Sequence, residues 1–542
     1  MANLSHDLTH VRHPMCGTRG MVATTEPLAT SAGIEILRSG GNAADAAIAT
    51  TAALAVVEPN NTGLGGDCFA LYFDAATQEI TALNGSGRSP AALSINRLKE
   101  DGLGDGWTSD HAHTVTVPGA CAGWFDMRER HGSMEMSALL APAIRLADEG
   151  FPVAPFNSRL WDIGVRGQLG RSRGGKELMI DGRAPRAGER FRNPTMADSL
   201  RMIAGGGRDA FYRGAIGEKI VAAVQEHGGA LAMDDLASHT STWDEPISVE
   251  YRGLRVWECP PNGQGIASLL ALNLLRELDL KGQDPMGPDR FHLMIEAMRL
   301  AFADARYHVA DPAKQRVPIS ELLSSSYAAS RLRELDPSRA SLDIVHGSPL
   351  ASSDTVYFCC VDAAGNACSF INSNYQAFGT GIVAEGTGFS LQNRGFGFSL
   401  DPSHPNALEP GKRPYHTIIP GMLTHDADGS LWGPFGVMGG YMQPQGHMQV
   451  VVALADDGLD PQAALDRARF NSVVGTAGGG VNVEPGVPEA TLSALADMGH
   501  PISRSAGLAQ VLYGRGQVIR READGVLWGG TDPRADGCVM TL

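Results

Sequence analysis

The chain has 542 residues, of which 43% are hydrophobic and 19% charged, values typical of globular proteins of two or three ordinary domains or one large layered one. Its net charge of −16 argues against a nucleic-acid-binding surface, because phosphate binding needs a basic stripe and none is visible. No stretch carries enough consecutive apolar residues to span a bilayer, so we expect no membrane-embedded segment.

Residues 1–20 contain several histidines and charged residues and no apolar run, so they do not resemble a secretory signal. We therefore expect a cytoplasmic protein. The eight cysteines are scattered and include no CxxC pair, which favours neither a zinc site nor a disulfide framework. No metal or organic cofactor is predicted.

The first part of the chain predicts a strand, two helices and a hairpin. The strand covers 20–25, and the helices cover 29–39 and 43–57. Their many alanines indicate close packing on a neighbour. The loop 60–67, rich in Gly and Asn, then leads into the strand 68–73 and the hairpin-like residues 80–90.

The middle of the chain is richer in helix and ends in a polar stretch. Residues 243–258 alternate in polarity around Arg252-Gly253, which predicts a β-hairpin. Residues 311–353 are rich in Ser, Pro and charge, and we expect them to form a mobile tail. The predicted helices are 123–131, 137–149, 195–205, 214–227 and 288–306.

Thr355 opens a run of strand-forming residues that ends at Asp362, directly after the polar turn 352–354. A turn at Gly365-Asn366 and a second strand up to Tyr375 follow. On this pattern alone, Thr355 is most simply an ordinary strand residue. Its surroundings favour a second interpretation.

The segment 354–383 resembles the start of the small subunit of the γ-glutamyltranspeptidase family. Further matching segments follow in family order along nearly the whole chain, and together they are far more specific than any one alone. They are 20–23, 36–47, 64–66, 116–119, 143–151, 261–265, 379–381, 411–414, 438–440 and 531–534. The resemblance implies an α+β fold, the four-layer αββα N-terminal-nucleophile hydrolase sandwich.

Family members cleave their own chain just before a Thr, and the new N-terminal amine of that Thr then serves as the base for its own hydroxyl. The resemblance implies that this Thr is Thr355 and that cleavage follows Asp354. An α-amine has an ordinary pKa near 8, which suits a base at neutral pH. Gly439 and Gly440 match the diglycine that binds the oxyanion, although a plain turn is the simpler interpretation. Ser373 stands where transpeptidases carry a Thr bonded to the nucleophile, and its alternative is a polar strand residue.

The substrate-binding positions depart from the family pattern. The acidic residue that holds the glutamyl ammonium is replaced by Gly397. The neighbouring polar binders become Tyr375 and Arg394, and the Ser-Ser pair becomes His416-Thr417. The Arg of the N-terminal block is shifted to Arg88, because Ser86 occupies its aligned place. Donors for a carboxylate therefore persist while the partner for an ammonium is lost, which resembles the acylase and oxamate amidohydrolase branch.

Three other features have simpler interpretations. His111 and His113 have no carboxylate at ligand spacing and are predicted to be surface histidines. Residues 63–66 lack the Lys and Ser/Thr of a phosphate loop, so they indicate a tight turn near the site. Lys412 and Arg413 are either a solvated pair or, as in the family, neighbours of the substrate.

Together these patterns predict a self-processing hydrolase of a small carboxylate-bearing amide. Its fragments, 1–354 and 355–542, form one intertwined domain and a heterodimer, with pairing into a tetramer left open. A γ-glutamyl hydrolase or transferase and a processed, non-catalytic binder of small acids remain as alternatives. The predicted partner is a small-molecule amide, with no nucleic acid and no membrane.

Overall fold

The computed structural model describes residues 12–104, 106–342, 354–473 and 479–542, with the backbone alone described at Asp354. The predicted cleavage junction therefore lies at the edge of a described segment. The strands are β1 (Met15–Gly17), β2 (Gly20–Thr24), β3 (Asp67–Phe73), β4 (Ile80–Gly85), β5 (Phe151–Pro152), β6 (Arg190–Phe191), β7 (Thr242–Asp244), β8 (Ile247–Tyr251), β9 (Leu254–Glu258), β10 (Asp354–Asp362), β11 (Ala367–Tyr375), β12 (Gly421–His425), β13 (Leu431–Met438), β14 (Phe470–Ser472), β15 (Val481–Val483), β16 (Ile502–Arg504), β17 (Arg515–Arg521), β18 (Leu527–Thr531) and β19 (Cys538–Thr541).

The helices surround these strands and occupy much of the first 340 residues. They are α1 (Pro27–Arg38), α2 (Ala43–Val57), α3 (Ile95–Glu100), α4 (Ala120–His131), α5 (Met136–Glu149), α6 (Pro155–Gly167), α7 (Pro194–Tyr212), α8 (Ala215–Glu226), α9 (Met233–Ala237), α10 (Gly265–Arg276), α11 (Pro288–His308), α12 (Ile319–Leu322), α13 (Ser325–Leu332), α14 (Met442–Ala455), α15 (Pro461–Asp466) and α16 (Glu489–Asp497). No helix among the described residues is both long and apolar enough to cross a bilayer.

Two seven-stranded sheets form the centre of the fold. One has the order β1-β18-β17-β13-β12-β9-β8, and the other has the order β19-β2-β10-β11-β3-β4-β7. Every neighbouring pair within both sheets is antiparallel. Each sheet therefore combines strands from distant parts of the chain.

Strand β10 shows how the sheets are covered, because its side chains alternate between two apolar clusters. Tyr357 and Cys359 join a cluster shared by both sheets, with members such as Phe69, Met422 and Ile519. Val356 and Phe358 join a second cluster with α1, α2, α4 and α5. A third cluster packs α10, α11 and α14 on the other sheet, through residues such as Val256 and Leu423.

Helix α2 is buried along its whole length, which explains its alanine-rich sequence. A helix that is apolar on all sides needs packing partners all round. Asn42 caps its first turn and forms a capping box with Asp45, as the sequence Asn-x-x-Asp favours. The Asp45 carboxylate also accepts the N–H and hydroxyl of Ser133, so the same residue fixes the start of a helix and a distant loop.

The predicted mobile tail is wrong for much of its length. Residues 319–322 and 325–332 form α12 and α13, and the side chains of Leu322 and Ala328 are buried. Asp311 is also buried, and its carboxylate accepts the backbone N–H of Arg413 at 2.9 Å. Polar composition hid these contacts, because each depends on a partner far away in the sequence. The remainder of this stretch, residues 343–353, lies outside the described residues.

Candidate active site

Four polar residues lie in a row across adjacent strands of one sheet. Thr355 stands at the start of β10, and a register irregularity follows Asp354. Ser373 lies on β11 and pairs with Asp67 at the start of β3, while Cys68 pairs with Gly85, which places Ser86 at the end of the row. These residues come from two hairpins that are far apart in the chain, β3–β4 and β10–β11. The folded sheet therefore brings together polar side chains that are far apart in the sequence.

Thr355 is fully buried, and its Oγ lies 3.1 Å from the Oγ of Ser373. The Ser373 oxygen also accepts the backbone N–H of Tyr375 at 2.8 Å and one N–H of Arg394 at 3.3 Å. The predicted hydroxyl pair is thus present in the geometry. A serine oxygen that accepts from a cation stabilises negative charge near the threonine hydroxyl.

Arg394 is a fully buried cation beside this hydroxyl pair. It donates to Thr417 Oγ at 2.7 Å, and its guanidinium carbon lies 4.2 Å from the centre of the Tyr375 ring. Within the described ranges no carboxylate forms an ion pair with it, and its Nε has no hydrogen-bond partner. Burial lowers the pKa of Arg394 to about 10, which still leaves it charged at neutral pH. Among the described residues, Arg394 is therefore a buried positive charge without a bonded counter-charge.

Asp67 organises the neighbouring part of the site, and sequence reasoning missed it. One carboxylate oxygen accepts the N–H groups of Gly87 and Gly119, each at 3.0 Å, and the other lies 3.1 Å from His416 Nε2. Burial acts to raise the pKa of Asp67, but the hydrogen bond from His416 and the charge of Arg394 bring it below its ordinary value. A polar residue that opens an otherwise apolar strand was the available signal.

His416 is buried beside Asp67, and each of its ring nitrogens faces a partner within the protein. Its Nε2 faces Asp67, and its Nδ1 accepts the backbone N–H of Ile418 at 3.4 Å. Burial lowers the pKa of His416, and the charge of Arg394 acts in the same direction, so the ring is neutral. Both ring nitrogens therefore have partners within the protein. The predicted contact of His416 with substrate stays a prediction.

Gly439 and Gly440 lie between the end of β13 and the start of α14, where φ is +132° and +59°. Neither N–H donates to an acceptor in the described part of the chain. The Gly440 carbonyl accepts from Gln264 Nε2 at 2.8 Å, and Gln264 also donates to the Thr417 carbonyl at 2.7 Å. Two backbone donors at a helix N-terminus suit an anion, and Gln264 joins them to the segment that contacts Arg394.

The two remaining substrate-binding positions lie apart from Thr355 in their contacts. A Cβ at Gly397 would lie 2.9 Å from the Tyr415 carbonyl, so a side chain there requires the backbone to shift. Arg88 donates to the Thr240 carbonyl at 3.2 Å, beside Arg413, which donates to the same oxygen at 3.3 Å. The structure thus groups Arg88 with Arg413 and away from Arg394.

Two expectations about polar side chains need correction. His113 is buried and pairs with Asp101 at 2.8 Å, so it is not a surface histidine. Lys412 and Arg413 are both buried, which excludes a solvated pair.

Among the residues that the structure describes, one group of His and acidic side chains is close enough to suggest a metal: His292, Glu296 and His500. The two rings are hydrogen-bonded at 2.8 Å, and Glu296 pairs with Arg299 at 2.5 Å. Burial lowers the pKa of His500 to about 3. Mutual hydrogen bonds and the ion pair account for these contacts without an ion. The nearby positive charge of Arg299 also disfavours a cation.

The family model described as gamma-glutamyltranspeptidase matches residues 29–542. The glutathione hydrolase-like YwrD proenzyme of Bacillus subtilis strain 168 is 37% identical over 97% of this chain and 99% of its own. The oxamate amidohydrolase proenzyme of Klebsiella pneumoniae subsp. pneumoniae is 33% identical over 96% of this chain and 98% of its own.

A solved structure shows the same relationship. The crystal structure of cephalosporin acylase from Bacillus halodurans superposes with a TM-score of 0.91 and 43% identity, covering 100% of this chain and 99% of that one. The family model and the two proenzymes cover the chain almost from end to end. The chain therefore belongs to the gamma-glutamyltranspeptidase family of enzymes.

Proposed function

We propose that the chain cuts itself between Asp354 and Thr355 and then hydrolyses the amide of a small carboxylate-bearing substrate. The observation that carries this proposal is the buried Arg394, which contacts Ser373 beside Thr355 and lacks an ion-pair partner in the described ranges. A substrate carboxylate would supply the missing negative charge. The Klebsiella relative, whose name gives oxamate as its substrate, supports this choice because oxamate carries both a carboxylate and an amide.

The fold supports self-processing. The three apolar clusters fit the four-layer αββα order, with two sheets in the centre and helices on each outer face. Thr355 begins a strand in the middle of one sheet, where a new amine would be held in place by the strand that follows. The relatives named as proenzymes agree with a precursor that is cut.

The proposed reaction uses Thr355 as both nucleophile and base. Its freed amine takes the hydroxyl proton, and Oγ attacks the substrate amide carbon. The N–H groups of Gly439 and Gly440 hold the oxyanion that forms, because they are directed donors near a helix N-terminus. The amine of the substrate leaves with the proton, and water then hydrolyses the threonine ester. Ser373 keeps Thr355 Oγ oriented throughout.

The contacts of Arg394 also predict which charge the substrate carries. Arg394 and Thr417 would bind the carboxylate, with the Tyr375 ring stacked on the guanidinium. Gly397 supplies no acid for an ammonium, and a buried ammonium without a partner is costly. The site therefore favours oxamate or a dicarboxylic monoamide over γ-glutamyl compounds. The bonded Thr355–Ser373 pair argues against a non-catalytic binder.

Two measurements test the proposal. On a denaturing gel the purified protein should run as two fragments, and N-terminal sequencing of the smaller should begin at Thr355. Thr355→Ala should stay a single chain without activity, whereas Thr355→Ser, which keeps a hydroxyl, should still be cut. An intact wild-type chain that hydrolyses amides would contradict the mechanism.

Steady-state kinetics of the cut protein should then compare oxamate, a glutaryl amide and a γ-glutamyl anilide. We expect the ammonium-free substrates to have the higher kcat/KM. If the γ-glutamyl compound is preferred tenfold or more, the interpretation of Gly397 is wrong, and the protein is a γ-glutamyl hydrolase or transferase.

A further inference from the structure

A second group of basic side chains lies beyond Asp67, at the far end of the polar row. Arg413 is buried and uses three side-chain nitrogens on neutral acceptors: the Ser86 carbonyl at 3.1 Å, the Thr242 hydroxyl at 3.0 Å and the Thr240 carbonyl at 3.3 Å. Arg88 is half-buried and donates to the same Thr240 carbonyl at 3.2 Å. Two guanidinium groups therefore converge on one carbonyl oxygen.

The guanidinium groups of Arg88 and Arg413 have no ion-pair partner within the described segments. Asp311 accepts the backbone N–H of Arg413 at 2.9 Å, but Asp311 and Asp244 act on its guanidinium only as nearby charges. Burial lowers the pKa of Arg413 to about 10, and the charge of Arg88 acts in the same direction. Two like charges this close disfavour each other unless an anion joins them.

Unpartnered polar atoms mark the same place. Both ring nitrogens of His239 and the hydroxyl of Ser241 have no hydrogen-bond partner in the described ranges. Burial, with the charge of Arg413, lowers the pKa of His239 to about 3, so the ring is neutral and has one N–H to donate. The segment 239–241 thus adds hydrogen-bonding capacity beside the two arginines.

The sheet fixes how far this group lies from the nucleophile. Strands β10, β11, β3 and β4 are consecutive neighbours, so Thr355 and Ser86 are separated by three strand spacings, about 14 Å. Arg394 contacts Ser373 on β11 and Arg413 contacts Ser86 after β4, and these two positions are two strand spacings, roughly 10 Å, apart. A molecule that contacts both basic groups must therefore span about that distance.

We propose that Arg88, Arg413 and His239 form a second anion subsite, which binds a carboxylate of the substrate remote from the amide that is cut. The inference rests on the proposed function and extends it to substrates with a carboxylate at this subsite, either alone or together with one at Arg394. Arg88 has donors to spare and can bind the anion side-on, while His239 and Ser241 offer further hydrogen bonds. The remote carboxylate can belong to the acyl group or to the amine that leaves.

The first test is inhibition of the cut enzyme by suberate and by octanoate, which have the same chain length but two carboxylates and one. We expect suberate to inhibit about tenfold more strongly, and Arg88→Gln to reduce this ratio to near one. Arg97→Gln is the matched control, because Arg97 is an exposed arginine paired with Asp101. A wild-type ratio below two, or a ratio that Arg88→Gln does not change, would overturn the subsite.

The source of the carboxylate is then assigned with two amides, the monoamide of suberic acid and the oxalyl amide of 6-aminohexanoic acid. A selective loss of kcat/KM in Arg88→Gln for either one supports the subsite and identifies the side, while a loss for neither contradicts it. If the cut protein hydrolyses no amide, the proposed function fails. The shift in Tm caused by suberate relative to octanoate, with and without Arg88→Gln, still decides on the subsite.

Discussion

Two buried arginine regions of this protein differ in how their charge is balanced. Arg469 and Arg534 share Asp532, at 2.8 and 3.0 Å, and Arg534 also pairs with Glu484. Although burial opposes it, these carboxylates raise the pKa of Arg534 above its ordinary value. Arg394 has neutral partners in the described chain, and burial lowers its pKa to about 10. Arginine keeps its charge at neutral pH, so the site that lacks a bonded carboxylate in the described chain is the one that we propose binds an external anion.

Glu26 is a buried acid, and it shows another way in which a buried charge can be avoided. Burial, and then the neighbouring Glu58, raise the pKa of Glu26 to about 8. A carboxyl group can take up a proton and become neutral, whereas a guanidinium cannot. An unpaired buried arginine is for that reason the more informative sign of a binding site.

The largest expected effect is a loss of stability when Arg534 is replaced in the region where carboxylates balance the arginine charge. Arg534→Met leaves Asp532 and Glu484 buried with less compensation, which should lower the free energy of unfolding by about 3–5 kcal/mol. Denaturant unfolding of wild type and variant measures this loss. Arg504→Met, which removes an exposed pair with Glu489, should cost less than about 1 kcal/mol. Equal losses in the two variants would remove the distinction between buried and surface pairs.

Replacing Gly440 tests the proposed oxyanion donors independently of Arg394. Valine is strained at a φ of +59°, so Gly440→Val should displace the N–H and lower kcat about a hundredfold or more. Steady-state kinetics of a folded, cut variant measures the change, with circular dichroism as the check on folding. Unchanged turnover would exclude the diglycine from the mechanism.

Arg394→Met tests the unbalanced region directly. We expect kcat/KM for a carboxylate substrate to fall about thirtyfold, with a much smaller fall for an uncharged amide, because binding of the carboxylate orients the reacting group. The Tm should stay the same or rise, since an unpaired buried charge is removed. A large loss of Tm would show instead that Arg394 is structural, like Arg534.

The smallest effect concerns Glu26, whose folded pKa of about 8 lies above its unfolded value. Its contribution to stability is complete below the unfolded pKa and is lost as the pH rises through 8. Glu26→Gln keeps the acceptor for the Leu28 N–H and cannot ionise. Its Tm advantage over wild type should grow to about 2 °C between pH 5 and pH 8.5. Glu79→Gln, at an exposed position, should show no such trend.

The sequence predicted elements better than it predicted partners. Helix 43–57 and the strand that begins at Thr355 follow from local patterns and occur where expected. The Asp67–His416 contact joins positions 349 residues apart, so no local pattern could show it. Arg88 was predicted to bind substrate, and that stays a prediction; its side chain donates to the Thr240 carbonyl, a contact that no local pattern could show.

The order of the strands has a consequence for how the protein could be divided. In the sheet that carries Thr355, β2, β3, β4 and β7 come from residues before 354, while β10, β11 and β19 come from residues after it. If the chain is cut there, strands of both fragments are interleaved within one sheet, so the fragments cannot separate without unfolding. Dilution should therefore release no folded fragment, and the melting temperature of the cut protein should fall on dilution because unfolding yields two separate chains. Halves expressed separately should fail to reassemble by simple docking.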